Sequence, residues 1–479
     1  MDPADFRRHG HALVDWIAEY LAGSERYPVL PRVSPGDVRR ALPAEAPEHG
    51  ESFDAIFADF ERVLVPALTH WNHPGFFGYF AITASEPGIL AELLSAALNQ
   101  QAMLWRTSPA ATELEEVALG WLRALMGLPS SFEGVIYDTA SISTLHALAA
   151  ARESALPGVR ETGLTADTGR LRVYCSEQAH SSIDKAVILL GLGHQALRKI
   201  PVDDQFRMRA ETLRAAMADD GAAGIRPLAV VATIGTTSTT SVDPVAEVAA
   251  ICRAEGVWLH VDAAYAGVTA IIPEYRSMFE GWEDADSVVV NPHKWLFTPF
   301  DLSAFYCRRM DVVRQAFSLV PEYLKTAEAS RGARNLMDTG IQLGRRFRSL
   351  KLWMILRHFG AEGVRSALAE HIRLAQLFSQ WVDADHDFER LAPVPFSVVC
   401  FRARPGGQPM DDADLDALNQ RLLDAVNATG EVFLSHTRLN DRVTLRLAIG
   451  HLKTSERHVA RAWKLLKTHT AQLTAPRRS

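Results

Sequence analysis

The chain has 479 residues, 48% of them hydrophobic and 22% charged. That composition excludes bulk disorder, and the length suits roughly three domains, or one large domain with appendages. Lys and Arg number 50 against 57 Asp and Glu, a net charge of −7, which argues against a nucleic-acid or anionic-membrane binder, whose footprint is basic.

The first stretch predicts a helix, because Phe6, Leu13, Ile17, Tyr20 and Leu21 recur near helical spacing. Pro28, Pro31 and Pro35 then interrupt the chain, and Ser34-Pro35 has the form of an N-cap with a first-turn proline. A second amphipathic run, Phe53-Ile56-Phe57-Phe60-Leu64, closes on the aromatic cluster WNHPGFFGYF at 71–80. Helices with so few apolar partners of their own are expected to pack on something else, such as another subunit.

From about residue 130 to 310 the pattern alternates between strands and helices. Continuous β-rich runs occur at 171–176, 227–234, 257–261, 287–290 and 303–307. Between the second and third, Asp243 can cap a helix that Pro244 opens and Gly256 ends, with Val245, Val248, Ala249 and Cys252 as its buried stripe. Continuous apolar strands joined through helices imply an α/β protein with a mostly parallel sheet covered on both faces. From 393 onward a strand (393–401), a helix (411–428), two strands (431–435 and 442–449) and a helix (454–470) predict a small α+β domain.

No run approaches the ~18 apolar residues of a membrane span. The first residues lack the apolar core of a signal peptide. Cys175, Cys252, Cys307 and Cys400 lie far apart with no C-x-x-C pair, which suits a reducing compartment. A cytoplasmic protein is expected, without membrane or nucleic-acid partners.

Ligands of open α/β sheets sit beyond the carboxyl ends of the strands. His180 follows the first run, Thr236 and Thr237 the second, Asp262 and Ala264 the third, and Asn291, His293 and Lys294 the fourth. Singly, each has a bland reading: a turn carboxylate, a surface lysine, a helix-entry cap, a pair of turn hydroxyls. Together they do not, because Lys294 is hemmed by Pro292, Trp295, Leu296 and Phe297. A buried lysine with a depressed pKa suits Schiff-base chemistry. The set fits pyridoxal 5′-phosphate: Lys294 for its aldehyde, Asp262 to hold the pyridine nitrogen protonated, His180 flat against the ring. Thr139, Ala140 and Ser141, at the start of an apolar helical pattern, would supply the phosphate cup.

At these residues the sequence resembles a known family. HVDAAYAG (260–267) and NPHKW (291–295) resemble the group II pyridoxal-phosphate decarboxylases, the aromatic L-amino-acid decarboxylase family. HWNHPGFFGYF (70–80), SPAATELE (108–115), SEQAHSS (176–182), VATIGTTS (231–238) and LGRRFRSLK (343–351) match in the same order, so the likeness spans about residues 4 to 470. It implies a type I aminotransferase-like fold and a homodimer whose active site is shared between subunits. The chain would then divide into an N-terminal helical segment packing on the partner (1–84), a large cofactor domain (85–375) and a small C-terminal domain (376–479).

The resemblance also assigns roles. Lys294, Asp262 and His180 keep those given above, and Ala264 lies on the other face of the ring. Thr139, Ala140, Ser141, Asn291 and His293 match phosphate-site positions, and Thr237 a position near the ring hydroxyl. Trp71, Tyr79, Phe80, Met103 and Gly344 fall at substrate-pocket positions. The polar, glycine-bearing stretch 321–340 reads as a mobile loop, in which Tyr323 matches the tyrosine that protonates the carbanion; members with phenylalanine there make aldehydes. The implied reaction is decarboxylation of an L-amino acid, aromatic by its pocket, to an amine and CO2. An aldehyde synthase and an aminotransferase are the alternatives on the same fold. Asp138 stands where many members carry glycine. Arg345, Arg346 and Arg348 suit either phosphate binding or structural ion pairs. His70 and His73 have no third ligand, so no metal is assigned.

Overall fold

Apolar continuity turns much of the middle of the chain into strands buried on both faces. The computed structural model describes residues 1–80, 82–319, 328, 332–406 and 410–475. The strands are β1 (Phe76–Phe77), β2 (Glu133–Tyr137), β3 (Arg170–Ser176), β4 (Leu197–Ile200), β5 (Ile225–Thr233) and β6 (Trp258–Asp262). They continue with β7 (Ser287–Val290), β8 (Ser303–Cys307), β9 (Phe388–Arg390), β10 (Val398–Ala403), β11 (Phe433–Leu439) and β12 (Arg442–Ala448). Every residue of β6, β7 and β8 is buried, as continuous apolar runs require.

The chain divides into two compact units, and the division interleaves the sequence: Ile82–Ala375 with Ala392–Cys400, and Met1–Ala81 with Gln376–Leu391 and Phe401–Ser479. In the larger unit a seven-stranded sheet has the order β2-β8-β7-β6-β5-β3-β4. The pairs from β7 to β4 are parallel, and β8 runs antiparallel to both its neighbours. Two antiparallel steps leave β2 running in the same sense as β7. The register aligns Thr233 with Asp262 and Asp262 with Val289, and Ala304 with both Ile136 and Val290. The carboxyl ends of β2, β7, β6 and β5 therefore share one edge. The helix Ala140–Ala155 covers the sheet through Ala147, Leu148 and Ala151, against Val135, Val173, Val231 and Phe305.

Two helix starts differ from expectation. The helix Val245–Glu255 ends as expected at Gly256 (φ +64°), but Pro244 stands at its N-cap rather than in its first turn, and Asp243 does not cap it. The buried Asp243 carboxylate instead accepts backbone N–H bonds from Met208 (2.7 Å) and Thr233 (2.8 Å). Burial pushes it up to about 6 against those bonds. Ser34 is likewise not an N-cap. Gly36 takes φ +93° and the helix Asp37–Ala41 starts after it, while Ser34 N–H donates to Asp37 Oδ2 at 2.7 Å.

The smaller unit opens with the helix Pro3–Ala22, whose Asp2 side chain accepts from Ala4 and Asp5 N–H. Its sheet order is β1-β11-β12-β10-β9. The aromatic cluster contributes β1, with Phe76 and Phe77 paired in parallel to Phe433 and Leu434. Trp71 packs on Phe76 with ring centroids 4.4 Å apart, Tyr79 is exposed at φ +51°, and Arg446 lies 5.4 Å over Phe80. His70 Nδ1 bonds Tyr20 Oη (3.0 Å) and His73 Nδ1 accepts from Gly75 N–H (2.8 Å). Among the described residues no group of His, Cys, Asp and Glu could hold a metal ion.

The expected mobile stretch 321–340 is packed at its far end. Leu336–Thr339 form a single helical turn, in which Leu336, Met337 and Thr339 are buried. Met337 N–H donates to Met103 O at 3.2 Å. Leu336 and Met337 are the apolar anchors that hold this end down. Tyr323 lies outside the described residues.

The three arginines of the LGRRFR stretch are all in ion pairs. Arg346 meets Glu92 (2.7 Å) and Arg348 meets Asp301 (2.8 Å). Arg345 is buried against Glu115 at 2.6 Å, donates to Ile136 O at 3.0 Å, and shares Glu115 with the Ile136 N–H. Removing one partner of a buried pair strands the other charge at a cost of about 3–5 kcal/mol, whereas replacing both with apolar groups costs far less. Arg345→Ala should therefore lower the urea midpoint sharply, and Glu115→Met with Arg345→Met should recover most of that loss. Equal midpoints for Arg345→Ala and the wild type would contradict the ion-pair role.

Candidate active site

The shared strand edge gathers the candidate residues of the larger unit. Asp262 ends β6, 6% exposed, and its Oδ1 accepts the N–H of Ala264 at 3.0 Å. Ala264 O in turn accepts the N–H of Asn291 (3.0 Å), and Asn291 O accepts that of Lys294 (2.9 Å). A continuous backbone path thus sets the carboxylate of one strand end against the lysine of the next. On the other side of β6, Gly235 at φ +88° lets the turn after β5 approach closely: a Cβ there would stand 2.7 Å from that of Ala266. Thr236 is buried in a hydroxyl cluster with Thr239 (3.0 Å), while Thr237 is exposed.

Electrostatics confirm that the three central groups sense one another. Burial pushes the Lys294 ammonium down, with Asp262 opposing. Burial also lowers the His180 imidazole, with Asp262 again opposing and Lys294 adding to the shift. His180 is exposed. Its Nδ1 accepts the Ser182 N–H at 3.1 Å and meets Ser182 Oγ at 2.9 Å, so the neutral ring carries its proton on Nε2.

Lys294 is braced from behind. Trp295, fully buried, stacks on Tyr265 with centroids 4.6 Å apart and donates Nε1–H to His371 Nδ1 at 3.0 Å. His293 Nδ1 accepts the Leu302 N–H at 2.9 Å, leaving Nε2–H as a donor. Burial, reinforced by Lys294, pushes His293 down to about 3. Asn291 is 1% exposed, and its Oδ1 has no hydrogen-bond partner among the described residues.

Thr139 occupies the N-cap position of the helix Ala140–Ala155 without a side-chain cap bond, and Ser141 is exposed. The Asp138 carboxylate is tied off: Oδ1 accepts from Thr139 N–H (2.6 Å) and Oγ–H (3.1 Å), and Oδ2 from Gln342 Nε2 (2.9 Å). Met103 packs with Leu104 and Met337. Gly344 is exposed, and a Cβ added to it would stand 3.4 Å from Gln101 Nε2. Trp71, Tyr79 and Phe80 belong to the smaller unit described above.

These residues fit pyridoxal phosphate. A depressed amine, a carboxylate, a flat imidazole and the first-turn N–H groups of a helix are the groups that its aldehyde, ring nitrogen, ring face and phosphate would need. Asn291, 1% exposed, ends on the same edge beside His293, and its side-chain NH2 is the donor a phosphate oxygen needs. Sequence reading missed the supports: the Trp295–His371 bond, the Asp243 clasp and the Glu115–Arg345 pair. The lone signal for the first was a tryptophan directly after the lysine.

Comparison with known proteins bears on the family and the fold. The profile of the pyridoxal-dependent decarboxylase conserved domain matches residues 35–404. Phenylacetaldehyde synthase of Arabidopsis thaliana is 41% identical, covering 99% of this chain and 97% of its own length. Aromatic-L-amino-acid decarboxylase of Sus scrofa is 40% identical over 99% of this chain and 98% of its own. The crystal structure of Oryza sativa TDC with PLP and tryptamine superposes with a TM-score of 0.95 at 37% identity, covering 99% of both chains.

The buried histidines set the acid response. His146, His260 and His293 are at most 3% exposed, and burial lowers them to about 3, 4 and 3. The unfolded chain binds their protons from about pH 6.5 downward and the folded one does not. Each therefore contributes stability that is present above pH 6.5 and falls by up to ~1.4 kcal/mol per pH unit on acidification toward its folded value. The urea midpoint should drop between pH 6.5 and 4, and less steeply in His146→Gln. An identical slope in that variant would show that His146 protonates in the folded state.

Proposed function

The chain belongs to the pyridoxal-dependent decarboxylase family, and from that premise we propose that it removes the α-carboxylate of an aromatic L-amino acid to give the amine and CO2. The observation that carries this reading is the linked set Lys294, Asp262 and His180 at one sheet edge. The pocket positions Trp71, Tyr79, Phe80, Met103 and Gly344 support an aromatic side chain, as do relatives that act on such amino acids.

Pyridoxal phosphate, when bound, supplies a conjugated ring that takes up the electron pair left as CO2 departs. The protein's residues do the rest. Lys294, its ammonium destabilised by burial, would offer its Nζ to the cofactor aldehyde. Asp262 would keep the pyridine nitrogen protonated, His180 and Ala264 would hold the ring, and Thr237 would orient its hydroxyl. Thr139, Ala140 and Ser141, with Asn291 and the Nε2–H of His293, would hold the phosphate. Tyr323 would give its phenolic proton to the substrate Cα once CO2 has left.

The likeness to a phenylacetaldehyde synthase favours one second reading, an aldehyde product. Tyr323 speaks for the amine, because the phenol is the proton donor that stops the carbon from meeting oxygen. A homodimer accords with the helix Glu86–Leu98, which exposes Leu90, Leu93, Leu94 and Leu98; such an apolar face marks a protein interface. A cytoplasmic location accords with four buried free cysteines.

Incubating the purified enzyme with phenylalanine, tyrosine or tryptophan should release CO2 and the matching amine in equal amounts. Lys294→Ala should reduce that output by at least about a thousandfold, since the covalent route is lost. Amine release near the wild-type rate would remove the lysine from the reaction. Tyr323→Phe should divert product under air to aldehyde, ammonia and peroxide. A variant that still yields amine alone at full rate would show that another group protonates Cα.

A further inference from the structure

The segment after the loop lies directly on the strand that leads into the phosphate turn. Tyr137 Oη donates to Thr339 O, His146 Nε2 accepts the Ile341 N–H at 3.3 Å, Gln342 Nε2 donates to Asp138 Oδ2 at 2.9 Å, and Arg345 donates to Ile136 O at 3.0 Å. The approach is close enough that a Cβ on Gly340 would stand 2.7 Å from His146 Cε1 and 3.1 Å from Tyr137 Cε1. Of these four contacts, the one through Asp138 also reaches the phosphate turn, because its other oxygen holds the Thr139 N–H and hydroxyl.

A carboxylate beside a phosphate site is electrostatically unfavourable. It is not a helix cap in its own right either, since Thr139 occupies that position. What the carboxylate does have is two oxygens facing two different pieces of chain. We propose that Asp138 is a positioning residue that clamps the segment Thr339–Arg345 to the phosphate turn, so that cofactor affinity depends on Gln342, whose amide bonds Asp138. The proposal rests on the reading that Thr139–Ser141 holds the cofactor phosphate. It links the cup to the stretch that carries Gly344, and it gives both carboxylate oxygens of Asp138 a partner.

The test uses apoprotein titrated with pyridoxal phosphate, followed by absorbance, together with limited proteolysis within residues 332–345. Asp138→Ala alone removes both the clamp and the repulsion, so the informative comparison is Gln342→Ala made in the wild type and again in Asp138→Ala. In the wild type it should weaken cofactor binding by about three- to tenfold, the range of one ordinary hydrogen bond felt through the turn, and speed cleavage. In Asp138→Ala it should change neither. The exchanged pair Asp138→Asn with Gln342→Glu, which reverses donor and acceptor, should restore slow cleavage and recover affinity relative to Gln342→Ala. Equal effects of Gln342→Ala in both backgrounds, or no effect in the wild type, would overturn the clamp. A wild-type protein that fails to take up pyridoxal phosphate would instead overturn the functional reading on which the clamp rests.

Discussion

Parallel pairing of β6 between β5 and β7 is the constraint on which the site depends. It sets Asp262 level with Thr233 on one side and Val289 on the other. The chain leaving each strand therefore emerges at the same height. A slip of one residue would turn Asp262 into the opposite face of the sheet and leave Lys294 without its counter-charge. The fully buried residues of β6 and β7 make such a slip costly, because it would re-aim every apolar side chain. The chemistry at the edge is thus positioned by the same hydrophobic burial that stabilises the sheet.

That edge works because burial and charge act against each other there. Burial alone would drive the Lys294 ammonium toward neutrality and leave no reason for its position. Asp262 opposes the shift, so the ammonium form keeps one stabilising neighbour. His180 is lowered first by burial and feels Asp262 in the same sense as the lysine does, raising it, while Lys294 lowers it further. Behind the lysine, the Tyr265–Trp295–His371 stack is apolar and hydrogen-bonded, so the strand end is stiff where the reactive nitrogen must be placed.

Much of this was legible in the sequence because strand ends are written in one short stretch each. The runs at 287–290 and 303–307 coincide with β7 and β8, and Asn291, His293 and Lys294 stand directly after the first of them. Long-range supports were not legible. Nothing adjacent to Asp243 announces that its carboxylate will take N–H groups from Met208 and Thr233 rather than cap the next helix. Glu115 and Arg345 are 230 positions apart, and only folding brings them together. The glycine-bearing stretch before residue 340 looked uniformly polar, yet Leu336 and Met337 sufficed to bury its end. Asp138 looked out of place beside a phosphate until Gln342 and Thr139 were seen to share its two oxygens.

The central claim, that this edge is a pyridoxal-phosphate site built on Lys294, is tested most directly by covalent mapping. Purified protein loaded with pyridoxal phosphate is reduced with borohydride, digested, and its peptides are weighed by mass spectrometry. The account predicts one equivalent of the reduced cofactor on the peptide containing Lys294. Cofactor fixed to a different lysine, such as the buried Lys351, or none retained after reduction, would contradict it.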